Sequence, residues 1–167
     1  MPGFRDRLHF DSARGEYRDG AIRYLMLRPD ALMGIFAELP EPMRPALLAA
    51  MARSITRAGG QSARAYQAAG AADPVTLART IEVTAPELGW GVWSLTLTPA
   101  ALDLTVANSP FAAGHGPAAT PVCAPILGML GAIGPMILGH PIQAAETECA
   151  AVTGGDRCRF YVGVLAG

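Results

Sequence analysis

The residues best suited to chemistry in this sequence are its three cysteines, Cys123, Cys149 and Cys158, and the acids beside the second of them. Glu146-Thr147-Glu148 runs directly into Cys149, and a Gly154-Gly155 turn separates Cys149 from Cys158. Zinc takes thiolate, imidazole and carboxylate ligands in four-coordinate geometry, so three thiolates and one carboxylate would complete a shell. Cys149 and Cys158 stand at facing ends of an expected hairpin, where both sulfurs can reach one point. Cys123 would join them from the N-terminal end of an apolar helix, a place that also favours a thiolate. Either Glu146 or Glu148 is a candidate fourth ligand. On a regular strand Glu146 and Cys149 point to opposite faces, so Glu146 needs a bulge or bend to take part. Glu148 has the same parity as Glu146, and alternation does not choose between them. The plainer alternative is three buried, inert cysteines acting as small hydrophobes.

The elements that must position these groups sit in a short and apolar chain. At 167 residues, one domain over 1–167 with a sizeable core is expected. Charged residues make up 16% and apolar ones 51%, and that excess calls for an internal pocket, an oligomer interface or both. A net charge of −1 offers no electrostatic footprint for nucleic acid or an anionic membrane. All 13 basic residues are arginine, which excludes lysine Schiff-base chemistry. An odd cysteine count argues against a complete disulfide framework. The first twenty residues are polar and charged, unlike a signal peptide. The apolar run Pro121–Leu138 contains three prolines and three glycines and reads as a buried helix rather than a membrane span. A reducing cytoplasm is the expected location.

Along the chain, Leu8–Phe10 and Glu16–Arg18 can pair as a short hairpin. Ala21–Leu27 alternates as a strand, with Ile22, Tyr24 and Met26 on one face. Arg28-Pro29-Asp30 then opens a helix carrying Leu32, Met33, Phe36 and Leu39. A longer helix over Met43–Tyr66 has an apolar stripe of Leu47, Leu48, Met51 and Ile55. Gly59-Gly60 within it signals a kink or a close helix–helix approach. Asp73-Pro74 caps a third helix over Val75–Val83, which Pro86 ends. The clearest β pattern follows. Trp93, Leu95 and Leu97, then Leu102, Leu104 and Val106, alternate with small polar residues as an antiparallel hairpin with one buried face. Helix 121–138 comes next, and Ile142–Ala150 with Arg159–Leu165 form a closing hairpin. Hairpins grouped around a helical block predict an α+β fold, an antiparallel sheet with a helical layer.

Asn108-Ser-Pro-Phe-Ala112, Pro121-Val-Cys123, Leu127-Gly-Met-Leu130 and Glu146-Thr-Glu-Cys-Ala150 with Gly155-Asp-Arg-Cys158-Arg-Phe160 together resemble the 4-vinyl reductase domain family. That family also supplies the hydrocarbon-binding sensory domain of phenol- and xylene-responsive activators, and is related in fold to vesicle-tethering TRAPP subunits. The resemblance is strongest over residues 90–165 and compatible from Ala21 on. It implies a ligand-binding fold of that type, with zinc held by Cys123, Glu146, Cys149 and Cys158. It also implies an apolar pocket between sheet and helices, in which a tryptophan and a histidine hold a phenolic hydroxyl. Trp93 or Trp90 would fill the tryptophan role. Neither His115, in a glycine-rich loop, nor His140, in a turn, carries over as the histidine. Phe111, Tyr66, Ile126, Met129 and Met26 are further pocket candidates, each equally readable as plain core.

Three functions follow as expectations. The first is a sensor or carrier for a small hydrophobic molecule, aromatic or tetrapyrrole, with a structural zinc; the low charge and the lack of an acid–base constellation favour it. The alternative is a bacteriochlorophyll-synthesis 4-vinyl reductase, or an accessory to one, acting on a chlorophyllide vinyl group. No nicotinamide or P-loop fingerprint supports that enzyme, which would have to hold its hydride source by other means. The third is a dimerisation scaffold. A homodimer is expected, and direct contact with nucleic acid is not.

Overall fold

The computed structural model describes residues 3–164 of the chain. A short helix α1 (Phe4–Arg7) leads into a three-stranded antiparallel meander, β1 (His9–Asp11), β2 (Glu16–Asp19) and β3 (Ile22–Tyr24). The β1–β2 pairing expected from sequence is present, with Phe10 opposite Tyr17. Asp11 Oδ1 fixes the turn by accepting from the N–H groups of Ala13 and Arg14 at 2.9 and 3.1 Å. The strand expected over 21–27 stops at Tyr24. β2 begins at Glu16, and Tyr17 already pairs with Tyr24, so the ladder has run out. Leu25, Met26 and Leu27 leave the sheet as an exposed apolar strap, with Leu25 81% exposed.

Helix α2 (Pro29–Met33) has Pro29 in its first turn and tightens into a 3₁₀ turn over Gly34–Phe36. The apolar spacing there seats Met33 and Phe36 in the core. Helix α3 (Arg44–Ala68) is 25 residues long and runs straight through Gly59-Gly60. The glycines therefore mark close approach and not a kink. A Cβ on Gly59 would stand 3.1 Å from Met129 Sδ. Helix α4 (Pro74–Glu87) is capped by Asp73, whose carboxylate accepts from Thr76 N at 2.9 Å. It runs a turn further than expected. Pro86 lacks an N–H, but Leu88 N still reaches Thr84 O at 3.1 Å, so the last turn closes around the proline.

The main sheet contains β4 (Val92–Leu97), β5 (Ala101–Ala107), β6 (Gln143–Glu148) and β7 (Arg157–Gly163), in the antiparallel order β4-β5-β7-β6. The fold is thus a helical layer with an antiparallel sheet, as the pattern of elements predicted. Leu102, Leu104 and Val106 of β5, with Cys158, Phe160 and Val162 of β7, form its buried face. Helix α5 (Pro110–His115) was not anticipated, although Ser109-Pro110 announces it: Ser109 caps it and Pro110 opens it. Helix α6 (Ala124–Leu138) starts three residues inside the expected span, with Cys123 at its N-cap.

Small residues let α6 lie close on α3. A Cβ on Gly128 would run into Ala52 O. Thr56 Oγ1 lies 2.9 Å from Gly128 O and 3.0 Å from Ala52 O, so its one proton can serve either carbonyl across the seam. The closing hairpin also differs from expectation. Cys149 O accepts from the N–H groups of Val152 and Thr153 at 2.9 and 3.0 Å, which winds a single helical turn, α7 (Ala150–Thr153), into the connection. Gly154, at φ 71°, ends that turn in a conformation that glycine tolerates best. Leu165, the expected end of the last strand, lies outside the described residues. No helix among the described residues is long and apolar enough to cross a membrane.

Candidate functional site

Cys123, Glu146, Cys149 and Cys158 converge. One ligand atom from each lies within 4.8 Å of the others, and the three cysteines are buried. Four elements bring them in: the N-cap of α6, strand β6, the residue after it, and the buried face of β7. The β6–β7 register shows how Glu146 joins. Glu146 pairs with Phe160 and Glu148 with the adjacent Arg159, so Thr147 is the extra residue of a bulge. That irregularity swings Glu146 inward. Glu148 turns out to Arg159, 3.0 Å away in a surface ion pair.

Within the cluster, Cys123 Sγ lies 3.6 Å from Cys158 Sγ, and Ser109 Oγ lies 3.3 Å from Cys123 Sγ. Ala150 N donates to Cys158 Sγ at 3.3 Å, and Cys123 N donates to Glu146 Oε2 at 3.0 Å. The other carboxylate oxygen, Glu146 Oε1, is buried with no hydrogen-bond partner. Hydrogen bonds from Cys123, then from Cys158, hold the Cys149 thiol far below the usual thiol range. Cys123 is pushed the opposite way, first by its hydrogen bond to Cys149. The Cys123 contact draws Cys158 down, but Cys149 and burial prevail and leave it at about 12. Burial, foremost, pushes Glu146 up to about 8. Three soft sulfurs and an orphaned carboxylate oxygen form a donor set that could hold a metal ion.

Two hollows lie beneath the N-terminal meander, away from this cluster. The larger has a volume of about 600 Å³ and is walled by the strap residues, Met51, Ile55, Trp90 and Phe111 among others. The smaller, about 370 Å³, lies between β3, α3 and α4, with Trp93 and Met129 also in its wall. Tyr24, Leu25, Ile55, Leu88 and Trp90 border both. Trp90 stands edge-on to Phe111, ring centroids 5.1 Å apart.

Of the residues singled out from sequence, Trp90 lines both hollows, Phe111 and Met26 the larger, and Trp93, Tyr66 and Met129 the smaller. Ile126 lines neither; it is fully buried in the core. His115 Nδ1 lies against Gly116 O at 3.3 Å and His140 Nδ1 against Pro141 O at 3.0 Å, and neither borders a hollow. Sequence reasoning missed Tyr24, although its alternation with Ile22 and Met26 had put all three on one face. It also missed the α4 face of Ile81, Thr84, Ala85 and Leu88, whose helical spacing was the available signal.

Residues 102–164 match the model of the 4-vinyl reductase domain family. No curated protein matches the chain. Among solved structures, the phenol-responsive sensory domain of the transcription activator PoxR, with phenol, superposes at a TM-score of 0.81 and 18% identity. That alignment covers 96% of this chain and 86% of that one. A trafficking protein particle complex subunit 3 from Naegleria fowleri, covalently bound to palmitic acid, gives 0.54 at 10% identity over 83% of this chain and 95% of that one. A vinyl-4-reductase family protein from Methanocaldococcus jannaschii gives 0.48 at 14% identity over 83% and 91%. At these identities the likeness is one of fold. The motifs around the cysteines, the convergence they produce and the matched segment agree: over residues 102–164 this chain carries a 4-vinyl reductase domain, set in the fold of the PoxR sensory domain.

Proposed function

We propose that this protein is a binding module, a sensor or carrier that takes a small hydrophobic or aromatic molecule into the hollows beneath its N-terminal meander. The observation that carries the reading is the larger hollow itself: about 600 Å³, walled by Trp90, Phe111 and aliphatic side chains. Aromatic and aliphatic walls with a few polar groups are what a small-molecule pocket needs. The family match and the shared fold with a phenol-responsive domain support it.

Zinc is the ion we assign to the cluster. Cys123, Glu146, Cys149 and Cys158 would hold it, and it would supply a fixed cross-link rather than a reacting centre. The donor set fits, since zinc takes thiolate and carboxylate together in four-coordinate sites. The unpartnered Glu146 Oε1 favours a cation there. Four protein ligands leave no open position, and none of the four borders either hollow, which favours a structural role.

Native mass spectrometry of the purified protein tests the reading by weighing metal, small molecule and subunits together. One zinc per chain, a bound apolar molecule and a homodimer are expected. A chain that stays empty when titrated with small aromatics would overturn the binding function.

A further inference from the structure

The smaller hollow is electrically neutral: no charged side chain lines it among the described residues. Its polar equipment consists of the hydroxyls of Tyr24, Ser62, Tyr66 and Thr84, the Gln61 amide at the rim, and the Trp93 indole. The indole is already engaged, because Trp93 Nε1 donates its only proton to Trp90 O at 3.0 Å. No imidazole stands in the wall. The donors that remain face inward from β3 and α3. Ser62 lies beside the Tyr24 hydroxyl, and Thr84 and Arg7 beside that of Tyr66. Ser62 and Thr84 can thus donate to the phenolic oxygens and leave each tyrosine its own proton. Burial, above all, keeps both phenols neutral, with Tyr24 pushed up to about 12.

Resting on the binding function proposed above, we infer that this hollow selects a neutral aromatic molecule bearing a hydrogen-bond acceptor, such as a carbonyl or ether oxygen, and that the Tyr24 and Tyr66 hydroxyls, not the Trp93 indole, recognise it. An anion is disfavoured, since a carboxylate buried without a counter-charge loses its hydration for nothing in return. A hydrocarbon of the same shape fits but leaves the hydroxyls unanswered.

The test uses the full chain and three matched probes, acetophenone, ethylbenzene and benzoate, titrated by calorimetry. Acetophenone is expected to bind about fivefold tighter than ethylbenzene, the worth of one neutral hydrogen bond, and benzoate not to bind. Tyr24→Phe and Tyr66→Phe should each shrink that preference while leaving ethylbenzene affinity unchanged, and Trp93→Phe should keep it. Infrared spectroscopy of bound acetophenone reads the same bond in the unaltered protein: the carbonyl stretch should shift down from its position in an alkane. A preference that survives both tyrosine variants, an unshifted carbonyl, or benzoate binding as tightly as acetophenone overturns this inference alone. If neither acetophenone nor ethylbenzene binds, the binding function falls with it.

Discussion

Replacing Cys149 by serine tests the metal cross-link most directly. Serine has nearly the same shape, so packing around this buried position changes little while one of four donors disappears. The ion that would join Cys123 to Cys158 closes a stretch of 35 residues. Chain-entropy arguments for a cross-link of that span give about 4 kcal/mol. In a domain of this size each kcal/mol moves Tm by about 2–4 °C, so the expected loss is about 8–16 °C. Metal content by elemental analysis, with thermal unfolding before and after a strong chelator, measures both halves. The parent protein should hold one equivalent and lose that much Tm on chelation. Cys149→Ser should hold none and ignore the chelator. A variant that keeps its metal and its Tm, or a parent protein indifferent to chelation, refutes the cross-link.

The bulge at Thr147 makes the two neighbouring acids unequal, so Glu146→Gln should lose the metal while Glu148→Gln keeps it and costs no more than the roughly 0–1 kcal/mol of a surface ion pair; elemental analysis of the two variants separates them. Gly128→Ala would press a methyl group onto Ala52 O, against backbone that cannot rotate away. Denaturant unfolding should show a loss at or above the roughly 1–3 kcal/mol of ordinary overpacking. Glu16, buried among Arg14, Arg18 and Arg23, has its carboxyl pulled below the usual range, first by the Arg18 hydrogen bond. Its stabilising contribution is present above the unfolded-state pKa and fades as pH falls through the depressed folded value. Acid titration of stability should therefore lose part of its slope in Glu16→Gln, and an unchanged acid limb would contradict that account.

The sequence made the metal cluster legible because its residue types are scarce: three cysteines in an otherwise aliphatic chain. It also showed that Glu146 could join only across an irregularity, and the β6–β7 register contains one. It could not choose between Glu146 and Glu148, because a bulge is set by pairing with β7, which local alternation does not encode. The strand over 21–27 was over-extended for a similar reason. Leu25 and Leu27 have the right character for a strand but no partner beyond Tyr17. The hollows were least legible. Their walls gather residues from β3, α3, α4 and α6, and nothing local marks Tyr24 or Leu88 as facing a void rather than a neighbour.

Helix α5 begins with its foot in one site and its shoulder in the other. Ser109 Oγ rests 3.3 Å from a cluster sulfur, while Phe111, two positions on, forms part of the wall of the larger hollow and meets the edge of Trp90. A six-residue helix is too short to bend between those points, so a guest that displaces Phe111 must tug on the cap beside Cys123. Whatever grips the thiols then sets how readily the wall yields, and the guest in turn alters the grip on the ion by the same factor.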